Sequence, residues 1–240
     1  MTILLFQTDS TIKAFEARIT AVDNYQHAVL LDQTAFFPGG GGQLFDEGKI
    51  IQAGKDLGFL RARTLQGEVW HFLDKDVPLP EIGTLVQCIL DWERRYKLMR
   101  THTAMHILCG VIYRDYGALV TGGDMDILQA RMDFEFEHLH KELIAVIEKA
   151  VNEEVAAAHE VDVRILEREE AFQIPDLIRT KINLLPEHIQ QIRIVEIKGL
   201  DLQADGGTHV NNTKEVGTIH ITEYKSKGKI NKRIYVALEP

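Results

Sequence analysis

Cysteine is scarce. The 240 residues contain two, Cys88 and Cys109, too few for a disulfide framework, so a reducing cytoplasmic setting is expected. Long apolar runs are missing as well. None reaches the roughly 20 residues of a membrane span, and Met1-Thr2-Ile3-Leu4-Leu5-Phe6 lacks the basic stretch of a signal peptide, so no membrane partner is expected. Two enzyme signatures are incomplete. The run Gly39-Gly40-Gly41-Gly42 continues with Gln43-Leu44 where a phosphate loop needs Lys followed by Ser or Thr. His102 and His106 flank Thr103 where a zinc peptidase would carry the Glu of His-Glu-x-x-His, which disfavours a protease.

A surplus of positive charge is absent too, since the net charge is −9. Its placement matters more than its sum. Between Asp124 and Glu170 stand 14 acidic and 5 basic residues, leaving 22 of each sign elsewhere. Basic residues gather at Arg94, Arg95, Lys97 and Arg100, and again at Lys225, Lys227, Lys229, Lys232 and Arg233. Runs of this kind are ordinarily solvated surface. A polyanionic substrate also requires them, so charge permits an RNA partner without establishing one.

A hydrophobic content of 45% and a charged content of 26% fit a globular chain with one large domain or two smaller ones. The first ninety residues read as β. Phe15 to Val22 and His27 to Thr34 form a hairpin around Asp23-Asn24-Tyr25-Gln26, and Gly58 to Thr64 pairs with Glu68 to Leu73 across Gln66-Gly67. Thr84 to Leu90 adds a strand after Val77-Pro78-Leu79-Pro80, and the set suggests a small barrel or closed sheet. At Asp91, a fair N-cap, the pattern becomes helical through Trp92, Tyr96, Met99, Thr103, His106 and Gly110, closing at Gly117. Leu139, Leu143, Val146, Ile147, Ala150, Val151 and Val155 mark a second amphipathic helix, and a short helical patch ends near Pro175. Val161 to Leu166, Arg193 to Ile197, Val216 to Glu223 and Arg233 to Leu238 are expected to form one antiparallel sheet with helices on a face, an α+β arrangement. The expected domains are 1–90 and 91–240.

One constellation carries chemistry. His102 and His106 are four apart, hence on one helical face where both imidazoles can reach a single ion. Asp205-Gly206-Gly207-Thr208-His209 adds a carboxylate and a third imidazole from a tight turn. Four ligands are the usual number at zinc, one ion per chain. Cys109, three residues after His106 on the same face, is a rival for the fourth position, although a small buried hydrophobe is its ordinary role.

At these residues the chain resembles the AlaX proteins, free-standing relatives of the editing domain of alanyl-tRNA synthetase. The family carries His-Thr-Ala-x-His on a helix and Cys-Gly-Gly-Thr-His on a later loop. Here they read His102-Thr103-Ala104-Met105-His106 and Asp205-Gly206-Gly207-Thr208-His209. Phe37 to Gln43 with Asp46 and Gly48, Thr121-Gly122-Gly123, Arg131-Met132-Asp133-Phe134, Asp201-Leu202-Gln203-Ala204 and Gly228-Lys229 before Asn231-Lys232-Arg233 also match, in order along nearly the whole chain. The resemblance implies a small N-terminal β-barrel followed by an α+β editing domain of the threonyl- and alanyl-tRNA synthetase type. It also implies a trans-acting hydrolase of mischarged tRNA(Ala), chiefly the seryl form; no obligate protein partner is evident from the sequence. Asp205 departs from the family's Cys, which bears on the metal's identity and affinity.

The bond to be cut is the ester joining the amino acid to the terminal ribose. Four protein ligands close a zinc site, whereas catalysis needs an open position. Either Asp205 yields its place to water or substrate, or the metal anchors the substrate while a water held by Thr103 and Thr208 attacks. A site that hydrogen-bonds the seryl hydroxyl disfavours alanine, because a polar group is then left unpaired; Thr103 and Thr121 are candidates for that contact. Gly39, Gly40, Gly41, Gly42 and Gln43 form either a plain loop or a ligand cradle, since glycines let backbone N–H groups approach closely. A catalytically weak tRNA-binding module with an altered metal site is the alternative reading.

Overall fold

The computed structural model describes residues 2–136, 140–181, 185 and 189–239. The chain divides into two compact units, 1–96 and 97–240.

In the first unit the strands are β1 (Ile3–Leu4), β2 (Ala14–Asp23), β3 (Ala28–Leu31), β4 (Gln33–Thr34), β5 (Gly48–Gln52), β6 (Lys55–Asp56), β7 (Phe59–Leu65), β8 (Glu68–Leu73) and β9 (Leu85–Leu90). Seven of them form one antiparallel sheet, ordered β6-β5-β9-β2-β3-β8-β7. β2 joins its halves: Ala14–Arg18 pairs with β9, whereas Ile19–Asp23 pairs with β3 across an irregularity between Ile19 and Ala21. A bulge of this kind bends a strand and strengthens its twist. The sheet therefore curls like a half-barrel, but it is not closed, because β6 and β7 remain its edges. Alternation of apolar residues dictates which face is buried and leaves closure undetermined. Ile19, Val29, Leu31, Phe36, Ile50 and Val86 fill the concave core, where Phe36 stacks on Phe59 at 4.3 Å between ring centroids.

Helix α1 (Trp92–Tyr116) begins in the first unit and continues through the second. Asp91 caps it, its Oδ1 accepting the Arg94 N–H at 3.1 Å. Gly117, at φ +65°, ends it with an N–H bond to the Tyr113 carbonyl. Every residue from Thr101 to Ile112 is buried. A helix enclosed on all sides ordinarily carries apolar residues throughout. Thr101, His102, Thr103 and His106 are the exceptions, and buried polar groups are the informative ones.

The second unit continues with β10 (Val120–Asp126), β11 (Gln129–Glu135), α2 (Lys141–Ala156), β12 (Val161–Glu167), α3 (Arg168–Ala171), β13 (Gln191–Ile197), β14 (Asp201–Ala204), β15 (Ile219–Ser226) and β16 (Asn231–Leu238). The single expected sheet is in fact two. β10-β11-β16-β15 is one, and β12-β13-β14 the other. The segment from Val216 does not enter a strand at once. Thr213–Val216 is a 3-10 turn closed by a capping box of Asn212 and Glu215, and Gly217 at φ +76° redirects the chain. Of the apolar positions assigned to α2, Ile147 and Val151 are buried along with Ile144, Val146 is exposed, and Leu139 lies outside the described residues. Among the described residues no helix is long and apolar enough to cross a membrane.

Candidate metal centre

α1 supplies the first two imidazoles. One turn apart and both buried, His102 and His106 have ring centroids 5.1 Å from each other. The third imidazole and the carboxylate come from the loop after β14. The Asp205 N–H pairs with the Arg193 carbonyl, extending the β13–β14 ladder by one residue. Beyond it, Gly207 turns back and its N–H donates to Asp205 Oδ2 at 2.7 Å, a side-chain turn typical of Asp before glycine. This brings His209 to 4.3 Å from His102 and 4.7 Å from His106, centroid to centroid. One ligand atom from each of His102, His106, Asp205 and His209 lies within 4.8 Å of the others.

Two of the rings are oriented from behind. His106 Nδ1 lies 3.0 Å from Asp201 Oδ2, and His209 Nδ1 lies 3.2 Å from Thr103 Oγ1. A neutral imidazole carries one N–H; with that hydrogen given to the outer partner, each Nε2 lone pair is left facing the cluster. Thr103 Oγ1 also accepts the Val210 N–H at 3.3 Å.

Asp205 is shared. Its Oδ1 is 3.5 Å from His102 Nε2, and its Oδ2 is 3.1 Å from His209 Nε2. Arg193 reaches the same residue, donating from Nη1 to the Asp205 carbonyl at 2.9 Å and approaching Oδ2 at 3.7 Å. Electrostatics suit a cation. Burial pushes His102 down to about 4, and burial with the neighbouring His102 holds His209 well below its ordinary value. Burial also works against ionised Asp205, but the surrounding imidazoles outweigh it and keep the carboxyl well below the usual range. Burial would lower His106 too, yet its bond to Asp201 and that carboxylate's charge raise it. Metal binding asks for deprotonated donors; burial favours that form at His102 and His209, and Asp205 is held ionised, whereas His106 is raised by Asp201 and must give up a proton to a bound cation. Three nitrogens and one oxygen fit zinc, and they lack the soft thiolate that would make the choice sharper.

Cys109 is buried on α1, where Gln203 Nε2 reaches its Sγ at 3.3 Å, and it is not one of the four converging residues. Thr208 is fully buried. Thr121 lies on β10, its hydroxyl donating to Asn231 Oδ1 at 3.0 Å. In the first unit, Gly39, Gly40, Gly41 and Gly42 all have positive φ. Gly40 and Gln43 exchange backbone hydrogen bonds at 3.1 and 3.0 Å, making a tight turn, and the Gln43 side chain is buried. Arg193, Asp201 and Gly110 were not singled out from sequence as parts of the site. Asp201 stood in a matching motif, but only the pairing of β14 shows what it faces.

Two family models match the chain. One is the threonyl and alanyl tRNA synthetase second additional domain, over residues 192–235. The other is class II (A) tRNA synthetases, over residues 5–94. The chain is 42% identical over 243 residues, covering all of both proteins, to the alanyl-tRNA editing protein AlaX-M of Saccharolobus solfataricus. It is 35% identical to the protein of that name from Methanosarcina mazei, over 99% of this chain and 97% of the relative. An alanine–tRNA ligase from Methanococcus vannielii is 35% identical over 91% of this chain, which spans 24% of that ligase.

Proposed function

Because the chain belongs to the AlaX-M family of alanyl-tRNA editing proteins, we propose that it hydrolyses mischarged tRNA(Ala), chiefly the seryl form, acting in trans in the cytoplasm. The observation that carries the reading is the convergence of three imidazoles and one carboxylate in a buried cluster. His102, His106, Asp205 and His209 would hold one zinc ion. When bound, zinc supplies Lewis acidity toward an ester carbonyl or a water.

The protein's own residues do the rest. Asp201 and Thr103 hold two rings with Nε2 inward. Arg193 and the Gly207 N–H hold the Asp205 carboxylate. Both of Asp205's oxygens have protein neighbours, so this ligand can lean toward Arg193 and yield a position to substrate or water. We assign Thr103 to positioning rather than to holding water, because its oxygen already faces His209 and Val210. Thr208 remains the candidate for holding the attacking water, and Thr121 for contact with the seryl hydroxyl. Gly39 to Gly42 with Gln43 are proposed as substrate contacts. A Cβ at Gly40 or Gly41 would meet nothing within 4 Å, so their requirement is for backbone conformation, at φ +133° and +60°.

The test is deacylation of Ser-tRNA(Ala) beside Ala-tRNA(Ala), with bound metal quantified in the same preparation. Loss of serine alone, with about one zinc per chain as a four-ligand site requires, is the expected result. His102→Ala and His209→Ala should lose metal and activity together, and full activity in a metal-free variant would sink the metal mechanism. Binding of tRNA with protection of the ester would favour a tRNA-binding module instead.

A further inference from the structure

We propose that Asp201, brought against α1 by the close approach that Gly110 permits, is a positioning residue that locks the ring and tautomer of His106 and so sets how tightly the cluster holds its metal. The inference rests on the metal-site reading above.

Asp201 is buried, and its two oxygens have different neighbours. Oδ2 faces His106 Nδ1 at 3.0 Å and accepts from Gln203 Nε2 at 2.7 Å. Oδ1 lies 3.5 Å from Arg179 Nε. Arg179 in turn sits over the Tyr113 ring, 3.7 Å from its centroid. A carboxylate out of water needs a counter-charge and hydrogen bonds, and Asp201 has both without being one of the four converging residues. It is therefore free to act from behind the ring. A carboxylate taking the Nδ1 hydrogen fixes the tautomer, limits ring rotation and makes Nε2 a better donor. At His209, Nδ1 faces the neutral Thr103 hydroxyl, whereas His106 Nδ1 faces a carboxylate, the stronger of the two acceptors.

Gly110 explains how Asp201 comes so near. It lies one turn beyond His106 on α1. A Cβ there would stand 2.9 Å from Leu200 Cγ, 3.0 Å from Asp201 Cβ and 3.1 Å from the Leu200 carbonyl oxygen. Rotating a side chain does not relieve a close contact with backbone oxygen, so any side chain at 110 must shift residues 200 and 201 away from the helix, by a few tenths of an ångström at the backbone oxygen. Alanine is ordinarily the better helix former; here its methyl would crowd Leu200 and the Cβ of Asp201, the residue whose carboxylate meets His106.

The experiment compares zinc affinity, release rate and the Co(II) absorption spectrum of wild type, Asp201→Asn and Gly110→Ala, by competition with a chromogenic chelator well below the melting temperature. Asp201→Asn should weaken zinc by about 10–100-fold, speed its release and alter the cobalt spectrum. Gly110→Ala keeps every polar group of the network and should move all three readouts the same way by a smaller factor. It carries the test if Asp201→Asn does not fold. A purely structural role would lower the melting temperature of the metal-free protein and leave these readouts unchanged, which would overturn the proposal. Wild type that takes up neither zinc nor cobalt would instead overturn the metal reading itself.

Discussion

Arg95 and Asp46 form a fully buried ion pair at the neck of the glycine turn. Arg95 Nε donates to Asp46 Oδ1 at 2.8 Å, and a second guanidinium nitrogen bonds Oδ2, which also accepts the Phe37 N–H at 2.6 Å. The Asp46 N–H returns to the Phe37 carbonyl at 3.0 Å. The turn from Pro38 to Phe45 is thereby clamped at both ends.

Removing one partner strands the other charge in the core. Asp46→Ala should cost about 3–5 kcal/mol of stability and open the turn to proteolysis, with Asp46→Asn losing less because it keeps an acceptor. Urea unfolding measures this, and a loss under about 1 kcal/mol, the scale of an exposed pair, would show that the clamp contributes little.

Thr103 separates positioning from catalysis. Thr103→Ser keeps the oxygen that faces His209 Nδ1 and accepts from the Val210 N–H, whereas Thr103→Val removes it. Serine should retain near-native metal affinity. Valine should weaken it by about tenfold and cost about 1–3 kcal/mol for the unpaired groups. Equal metal affinity in the two variants would deny Thr103 its hold on His209.

At position 205 the donor can be exchanged. Asp205→Cys offers zinc a thiolate, a softer ligand, and should raise zinc affinity while narrowing the range of metals bound. Competition titrations with zinc, cobalt and manganese on both proteins decide the matter. An unchanged zinc constant would mean that position 205 contributes no ligand.

His71 gives the first unit its own acid sensitivity. The ring is enclosed in the half-barrel, with Thr34 Oγ1 2.9 Å from Nε2, and burial lowers it to about 4. The unfolded chain, titrating near 6.5, binds the proton first as pH falls. This contribution is therefore complete above pH 6.5 and is lost as pH drops toward 4, by about 3 kcal/mol for a shift of this size. His71→Leu should flatten the decline between those pH values by about that amount, and an unaltered slope in denaturant unfolding would contradict the assignment.

The convergence of these four residues was legible because both of its halves are local: four residues along a helix for His102 and His106, and a two-glycine turn for Asp205 and His209. The groups behind them were not. Asp201 reaches His106 only through the pairing of β14 on β13 and the space at Gly110, neither of which leaves a periodic trace. β10 escapes a reading by alternation because Gly122-Gly123 interrupts its pattern. The strands of the first unit were largely readable from alternation, while the curl of their sheet depends on how β2 divides between two partners.

Asp205 gives the cluster a carboxylate and no sulfur, and both cysteines are buried, Cys88 pushed up to about 12 and Cys109 also raised, chiefly by burial. Oxidants attack thiolates, and this chain presents none. A metal held by these four residues, as proposed, would have no sulfur ligand for peroxide to convert, and its retention would be uncoupled from the cell's redox state.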